Sequence, residues 1–139
     1  MAVPTRSGAA ALPVRSGEER WTESELDEVR QELETEITEL RAEISKAESE
    51  IAERMSDAVA DAGDDQADAG AKTFEREHEL ALTHNAKELL AQNGRALAKM
   101  ADGTYGVCES CGEAIGKARL QAFPRATLCV VCKQREERR

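Results

Sequence analysis

At 139 residues the chain has room for one ordinary domain, or for one elongated element plus a small module, and is too short for a multidomain enzyme. About half of it is Ala, Glu, Arg, Leu and Lys while aromatics make up 3%, a composition of long helices with a thin apolar seam that excludes an all-β fold and a thick core. The formal charge of −9 is uneven: residues 21–104 hold 22 acidic and 9 basic side chains and residues 105–139 hold 4 and 7, so most of the chain repels phosphate backbones and suits a basic protein, or a cavity holding metal ions.

Residues 1–20 contain two of the three prolines, several Gly and Ser, and no periodicity, which predicts a disordered tail. The apolar stretch at residues 9–12 is cut short by Pro13, and no run of about 18 apolar residues exists. Neither a membrane span nor a signal segment is expected, and the protein is expected to be soluble and cytoplasmic. From Thr22 the pattern changes: Leu26, Val29, Leu33, Ile37, Leu40, Ile44, Ala47 and Ile51 step by three or four residues, the seam of an amphipathic helix. Thr22 with Glu25 three residues on predicts a capping box. The helix should run to about residues 55–60, some 35 residues or on the order of 50 Å.

Across residues 57–70 the bulky apolar positions disappear and Asp and Gly accumulate, which predicts a connection. A second helix follows, with Phe74, Ala81, Leu82, Ala86, Leu89, Ala96, Leu97 and Met100 as its apolar stripe and Gly103 as its stop. Two long helices joined by a short loop run antiparallel. The fold expected is mainly α, a long antiparallel coiled-coil hairpin over residues 21–104 with an acidic tip near 57–70. A helical bundle or a dimeric coiled coil are the plainer readings of the seam; the short loop and the similar arms favour the hairpin, as a monomer.

Residues 105–139 are expected to form a small four-cysteine zinc-finger module with a C-terminal helix. Cys108 and Cys111, then Cys129 and Cys132, give C-x2-C-x17-C-x2-C, a spacing for one tetrahedral zinc ion, with Gly112 allowing the backbone to turn its amides toward sulfur. Four thiolates leave no open coordination position, so catalytic zinc is disfavoured. A structural staple is preferred to a redox switch that releases zinc. His78 and His84 are six apart and do not share a helix face. With no Ser-His-Asp order, Gly-rich phosphate loop or second metal cluster, no enzyme is predicted.

A hairpin with an acidic tip, followed by Gly-Thr-Tyr-Gly-Val-Cys-Glu-Ser-Cys-Gly from Gly103 and then by Arg119-Leu120, Pro124 and Leu-Cys-Val-Val-Cys-Lys ending at Lys133, resembles the DksA/TraR family of bacterial transcription factors over about residues 22–135. Asp65, Asp68 and Gly70 fall on the family's tip pattern D-x-x-D-x-A, with Gly70 in place of the alanine. The resemblance implies a non-catalytic regulator that binds RNA polymerase rather than DNA, inserting the hairpin through the secondary channel so that Asp65 and Asp68 approach the active centre. Without it, the two aspartates read as solvated capping carboxylates. The family's ppGpp-binding cations correspond here to Asn85, Gln92 and Phe123, and only Lys133 is retained, so ppGpp is expected to bind weakly or not at all. Lys117, Arg119, Arg125 and Lys133 are candidate polymerase contacts. The competing readings are a redox-responsive or structural coiled-coil adaptor, and a DNA-binding zinc ribbon that the acidic hairpin disfavours.

Overall fold

The first helix begins where the spacing of Thr22 and Glu25 predicts. Thr22 Oγ1 accepts the Glu25 amide at 3.1 Å and Glu25 Oε1 accepts the Thr22 amide at 2.9 Å, a reciprocal capping box. The structure, a computed structural model, describes the backbone of residues 8–60 and 66–138 and the side chains of residues 8–57 and 70–138. Among the described residues four α-helices follow a short 3-10 turn at Gly8–Ala11: α1 Glu23–Ala60, α2 Gln66–Asp102, α3 Lys117–Ala122 and α4 Val130–Glu137. Among the described residues there is no strand, only an isolated antiparallel bridge between Val107 and Ala114.

On α1 the whole predicted seam turns inward. Leu26, Val29, Leu33, Ile37, Leu40, Ile44 and Ile51 are each 8% exposed or less, and Ala47 is half-buried. On α2 the inward face differs from the expected stripe. Thr83, Ala86, Asn93, Ala96 and Met100 are buried and Leu89, Leu90 and Leu97 half-buried, whereas Phe74 is 73% and Leu82 57% exposed and Ala81 is exposed. The reason is register. Phe74 lies nine residues before Thr83, two and a half turns, and therefore on the opposite side of the helix. Small and polar residues on α2 face the bulkier seam of α1. Thr83 fits there because its hydroxyl donates to the Glu79 carbonyl at 2.9 Å. α2 stops at Gly103, whose φ of 82° an L side chain resists, and the Thr104 amide bonds back to the Lys99 carbonyl at 3.0 Å.

The chain divides into two compact units. In the unit of residues 37–91, α1 and α2 pack antiparallel: Glu48 pairs with Lys87 at 2.7 Å, and Arg54, further along α1, pairs with Glu79, further back on α2. Leu40, Ile44 and Ala86 form its apolar cluster, with Leu89 and Leu90 against it. The other unit joins residues 8–36 to residues 92–138. Its core gathers Ala9, Leu12 and Trp21 from the N-terminal segment, Leu26, Val29 and Leu33 from α1, Ala96 and Met100 from α2, and Tyr105, Ile115, Leu120 and three cysteines from the C-terminal segment. The Trp21 and Tyr105 rings meet at 6.1 Å, and the Tyr105 hydroxyl donates to the Pro124 carbonyl at 2.7 Å. Burial, together with the Glu32 charge, raises the Tyr105 pKa.

Three expectations are corrected. Residues 8–20 are not a disordered tail: Ala9 and Leu12 lie in the core, because a small core gains from every apolar side chain within reach. Residues 1–7 lie outside the described residues. The connection is shorter than 57–70, since α1 includes residues 57–60 and α2 starts at Gln66, Ala58, Ala60, Ala67 and Ala69 being strong helix formers. Finally, the compact units do not part at residues 104 and 105, because the start of α1 and the end of α2 share one core with the cysteine segment.

The register assigns opposite costs to two large apolar residues. Leu33→Ala should destabilise the protein by about 2–5 kcal/mol, and Phe74→Ala should stay within about 0.5 kcal/mol of the parent. Urea unfolding followed by circular dichroism distinguishes them, and equal costs would contradict the register.

Candidate metal centre

The first cysteine pair sits on a knuckle made by short-range backbone bonds. The Ile115 amide donates to the Gly106 carbonyl and the Cys108 amide to the Glu113 carbonyl, each at 2.8 Å, and Gly112, at φ 77°, turns its amide onto the Cys108 carbonyl at 3.0 Å. The second pair straddles the start of α4, with Cys129 immediately before it and Cys132 on its first turn. The Glu109 amide donates to the Thr127 carbonyl at 2.9 Å, tying the two halves together. All four Sγ atoms lie within 4.8 Å of one another, and those of Cys111 and Cys129 are 3.9 Å apart. A tetrahedral zinc ion with bonds of about 2.3 Å has sulfur–sulfur edges of about 3.8 Å, so the donor set fits zinc by chemistry and by spacing.

The surroundings favour thiolates on two of the four. Burial works against the Cys108 thiolate but is outweighed by the amides of Cys111, Cys129 and Ser110, which bring its pKa down to about 6. The Cys129 amide reaches Cys108 Sγ at 3.4 Å. Cys129 is also lowered, chiefly by the Cys132 amide. At Cys132 the Ser110 contact favours the anion, but the neighbouring sulfurs and burial prevail and push the thiol up to about 11. Sulfurs this close cannot all ionise unless a cation sits among them, and a divalent ion supplies that charge. Zinc held by four cysteines supplies structure, with no position left for substrate.

Three of the four basic residues proposed as partner contacts are engaged within the protein. Lys117 Nζ is 2.8 Å from Glu25 Oε1, and its side chain is largely buried. Arg119 Nε donates to the Leu128 carbonyl at 3.2 Å, and its guanidinium lies 5.6 Å from the Phe123 ring centre. Arg125 pairs with Glu36 of α1 at 3.1 Å. Lys133 is exposed on α4. Asp65 lies outside the described residues, as does the side chain of Asp68, whose backbone belongs to α2. Gly70 is exposed, with open space where a Cβ would stand. Of the expected ppGpp positions, Asn85 and Phe123 are exposed and Gln92 is half-buried. His84 is exposed on α2 and contacts Glu88 at 3.4 Å.

Sequence reasoning missed the carboxylates that hold the module. Glu18 accepts the Lys117 amide at 2.8 Å and the Ala118 amide at 3.0 Å, from about 100 residues away in the chain. Lys99 of α2 reaches Glu109 at 2.6 Å, between the first two cysteines. Only Glu25 carried a signal, through its capping box. Elemental analysis of protein purified under reducing conditions should find one zinc per chain, and Cys129→Ser should lower that below stoichiometric retention on dialysis. A parent protein without metal would refute the assignment.

Comparison with known proteins agrees with this geometry. Residues 103–138 match the family model for the prokaryotic dksA/traR C4-type zinc finger. The RNA polymerase-binding transcription factor DksA of Caulobacter vibrioides is 43% identical over 65 residues, covering 47% of this chain and 46% of that protein. The Escherichia coli protein of the same name is 43% identical over 61 residues, covering 42% and 40%. The chain thus matches less than half the length of these curated relatives. The structure of transcription factor DksA2 from Pseudomonas aeruginosa aligns over 84% of this chain and 85% of that one, with 34% identity and a TM-score of 0.67. Because that likeness covers more than four fifths of both chains at 34% identity, and residues 103–138 match the family's zinc-finger model, the chain belongs to the DksA/TraR family.

Proposed function

We propose that this protein is a cytoplasmic, non-catalytic transcription regulator that binds RNA polymerase, with the end of the hairpin between α1 and α2 entering the secondary channel. The observation that carries this reading is the likeness to DksA2 over 84% of the chain, joined to relatives whose names state polymerase binding. Charge supports it. The strongly acidic segment of residues 21–104 suits a channel that leads to a metal-dependent active centre and does not suit naked DNA. Asp65 and Asp68 are assigned to the tip that acts near that centre. Lys133 is assigned to polymerase contact, because Lys117, Arg119 and Arg125 bond internally. No helix among the described residues is long and apolar enough to cross a membrane.

The protein should bind purified RNA polymerase in competition with other secondary-channel factors. Asp68→Asn should lower its effect on transcription at least tenfold while changing affinity less than threefold, because a residue acting at the centre alters output and the helices and module supply binding. Gly70→Ala restores the family's alanine where space is open and should stabilise the helix by about 0.5–1 kcal/mol. If Asp65→Asn and Asp68→Asn both regulate like the parent in a purified system, the tip assignment is wrong.

Weak ppGpp dependence is expected as well. Each charge-assisted contact to a phosphate contributes about 1.5–3 kcal/mol, so replacing two or three cations by Asn85, Gln92 and Phe123 removes several orders of magnitude in affinity. Transcription with a polymerase lacking any factor-independent ppGpp site measures this. Strong synergy there would refute it and point to Lys87, Arg95 or Arg125 as replacements.

A further inference from the structure

We infer that residues 8–21 are the outer clamp of the metal centre, and that Glu18, which is no metal ligand, is a positioning residue for zinc retention. The inference rests on the four-cysteine zinc assignment and concerns what makes that site hold its ion.

The problem the clamp solves lies in the 17 residues between Cys111 and Cys129, which must fold back so that the two sulfurs stand 3.9 Å apart. α3 occupies the middle of that stretch and has six residues, too few to be stable alone. Its first amides need acceptors, and the residue before it, Gly116, has no side chain to offer one. Nor is a capping side chain readily accommodated there. Gly116 has φ 115°, and a Cβ would meet Arg15 Cδ at 3.0 Å.

Glu18 supplies what Gly116 lacks. Its Oε1 accepts the Lys117 amide and its Oε2 the Ala118 amide, while Oε1 also accepts the Arg15 amide at 2.8 Å and so closes the clamp's own turn. Burial opposes the Glu18 charge, but the amides of Ala118, Arg15 and Lys117 and the Lys117 charge outweigh it and hold the carboxyl below its ordinary range. With its start fixed, α3 buries Leu120 completely and presents Arg119, whose Nε holds the Leu128 carbonyl directly before Cys129. The path from Glu18 to the second cysteine pair is therefore continuous.

A second tie runs through Lys117. Its ammonium donates to Glu25 Oε1, the same oxygen that accepts the Thr22 amide in the capping box of α1, and lies 3.4 Å from the Arg20 carbonyl. Ala9 and Leu12 anchor the other end of the clamp in the core, and the Ala9 amide bonds to Glu23 Oε1 at 3.2 Å. Coupling of this kind is reciprocal. If the clamp raises zinc affinity, zinc holds the clamp in place by the same factor.

The test is competition for zinc with a chromophoric chelator, on the full chain, for the parent, Glu18→Ala, Glu18→Gln and, as control, Glu19→Ala at the exposed neighbouring residue. Glu18→Ala should weaken zinc about tenfold, Glu18→Gln, which keeps one acceptor oxygen, should fall between, and Glu19→Ala should match the parent, with helicity of the loaded proteins unchanged. In the parent, removing zinc should shift the emission of Trp21 to the red and release the exchange protection of the Leu12, Lys117 and Ala118 amides. Parent-like zinc affinity in both Glu18 variants overturns the clamp, as does clamp protection that survives zinc removal. If Glu18→Ala does not fold, Glu18→Gln and the parent measurement decide. A parent that binds no zinc overturns the metal assignment and the clamp with it.

Discussion

Four sulfurs within 4.8 Å of one another are the constraint on which the C-terminal part of this protein depends. The segment around them has a single isolated bridge and two short helices, and such a segment cannot offset its conformational entropy by backbone bonding alone. A zinc ion converts the repulsion between close thiolates into attraction and pins two sequence-distant loops at one point. Several contacts of the module gather around that point. The amides of Ser110, Cys111 and Cys129 converge on Cys108, Lys99 reaches Glu109, and Arg119 holds the residue before Cys129.

The module does not stand apart from the helices. Leu26, Val29 and Leu33 of α1, with Ala96 and Met100 of α2, share a core with three of the four cysteines, and Trp21 packs against Tyr105. Residues 37–91 rely on a thinner apolar cluster supplemented by cross-helix pairs such as Glu48 with Lys87. Exposed pairs of that kind contribute little and are screened by salt. Stability is therefore concentrated in the unit that holds the metal.

The basic residues of the C-terminal segment illustrate how a folded chain reassigns its charges. Counted in the sequence, Lys117, Arg119 and Arg125 belong to a patch for a partner. In the structure they serve the capping box of α1, the carbonyl before Cys129, and Glu36. A cation that satisfies a carboxylate at home adds little free charge for a partner, because breaking the internal pair offsets the new contact. This places the surplus charge of the segment at α4, where Lys133 is exposed.

The periodic seam of α1, its capping box, the glycine stop of α2 and the four zinc ligands were all legible in the sequence, because each rests on residues within a few positions of one another and on one rule of spacing. The family resemblance came from the same local motifs. Three features were decided only by tertiary structure. Phe74 and Leu82 look apolar enough for a seam, but the rotation of α2 is set by what α1 presents, and that rotation favours Thr83 and Asn93 over them. Residues 8–20 carry no periodicity, yet Ala9 and Leu12 find a core assembled from three other segments. Glu18 has nothing near it in sequence to announce a cap for a helix about 100 residues away. Spacing determines which groups can meet along one element, whereas contacts between distant segments depend on where folding has put unsatisfied amides and unfilled volume.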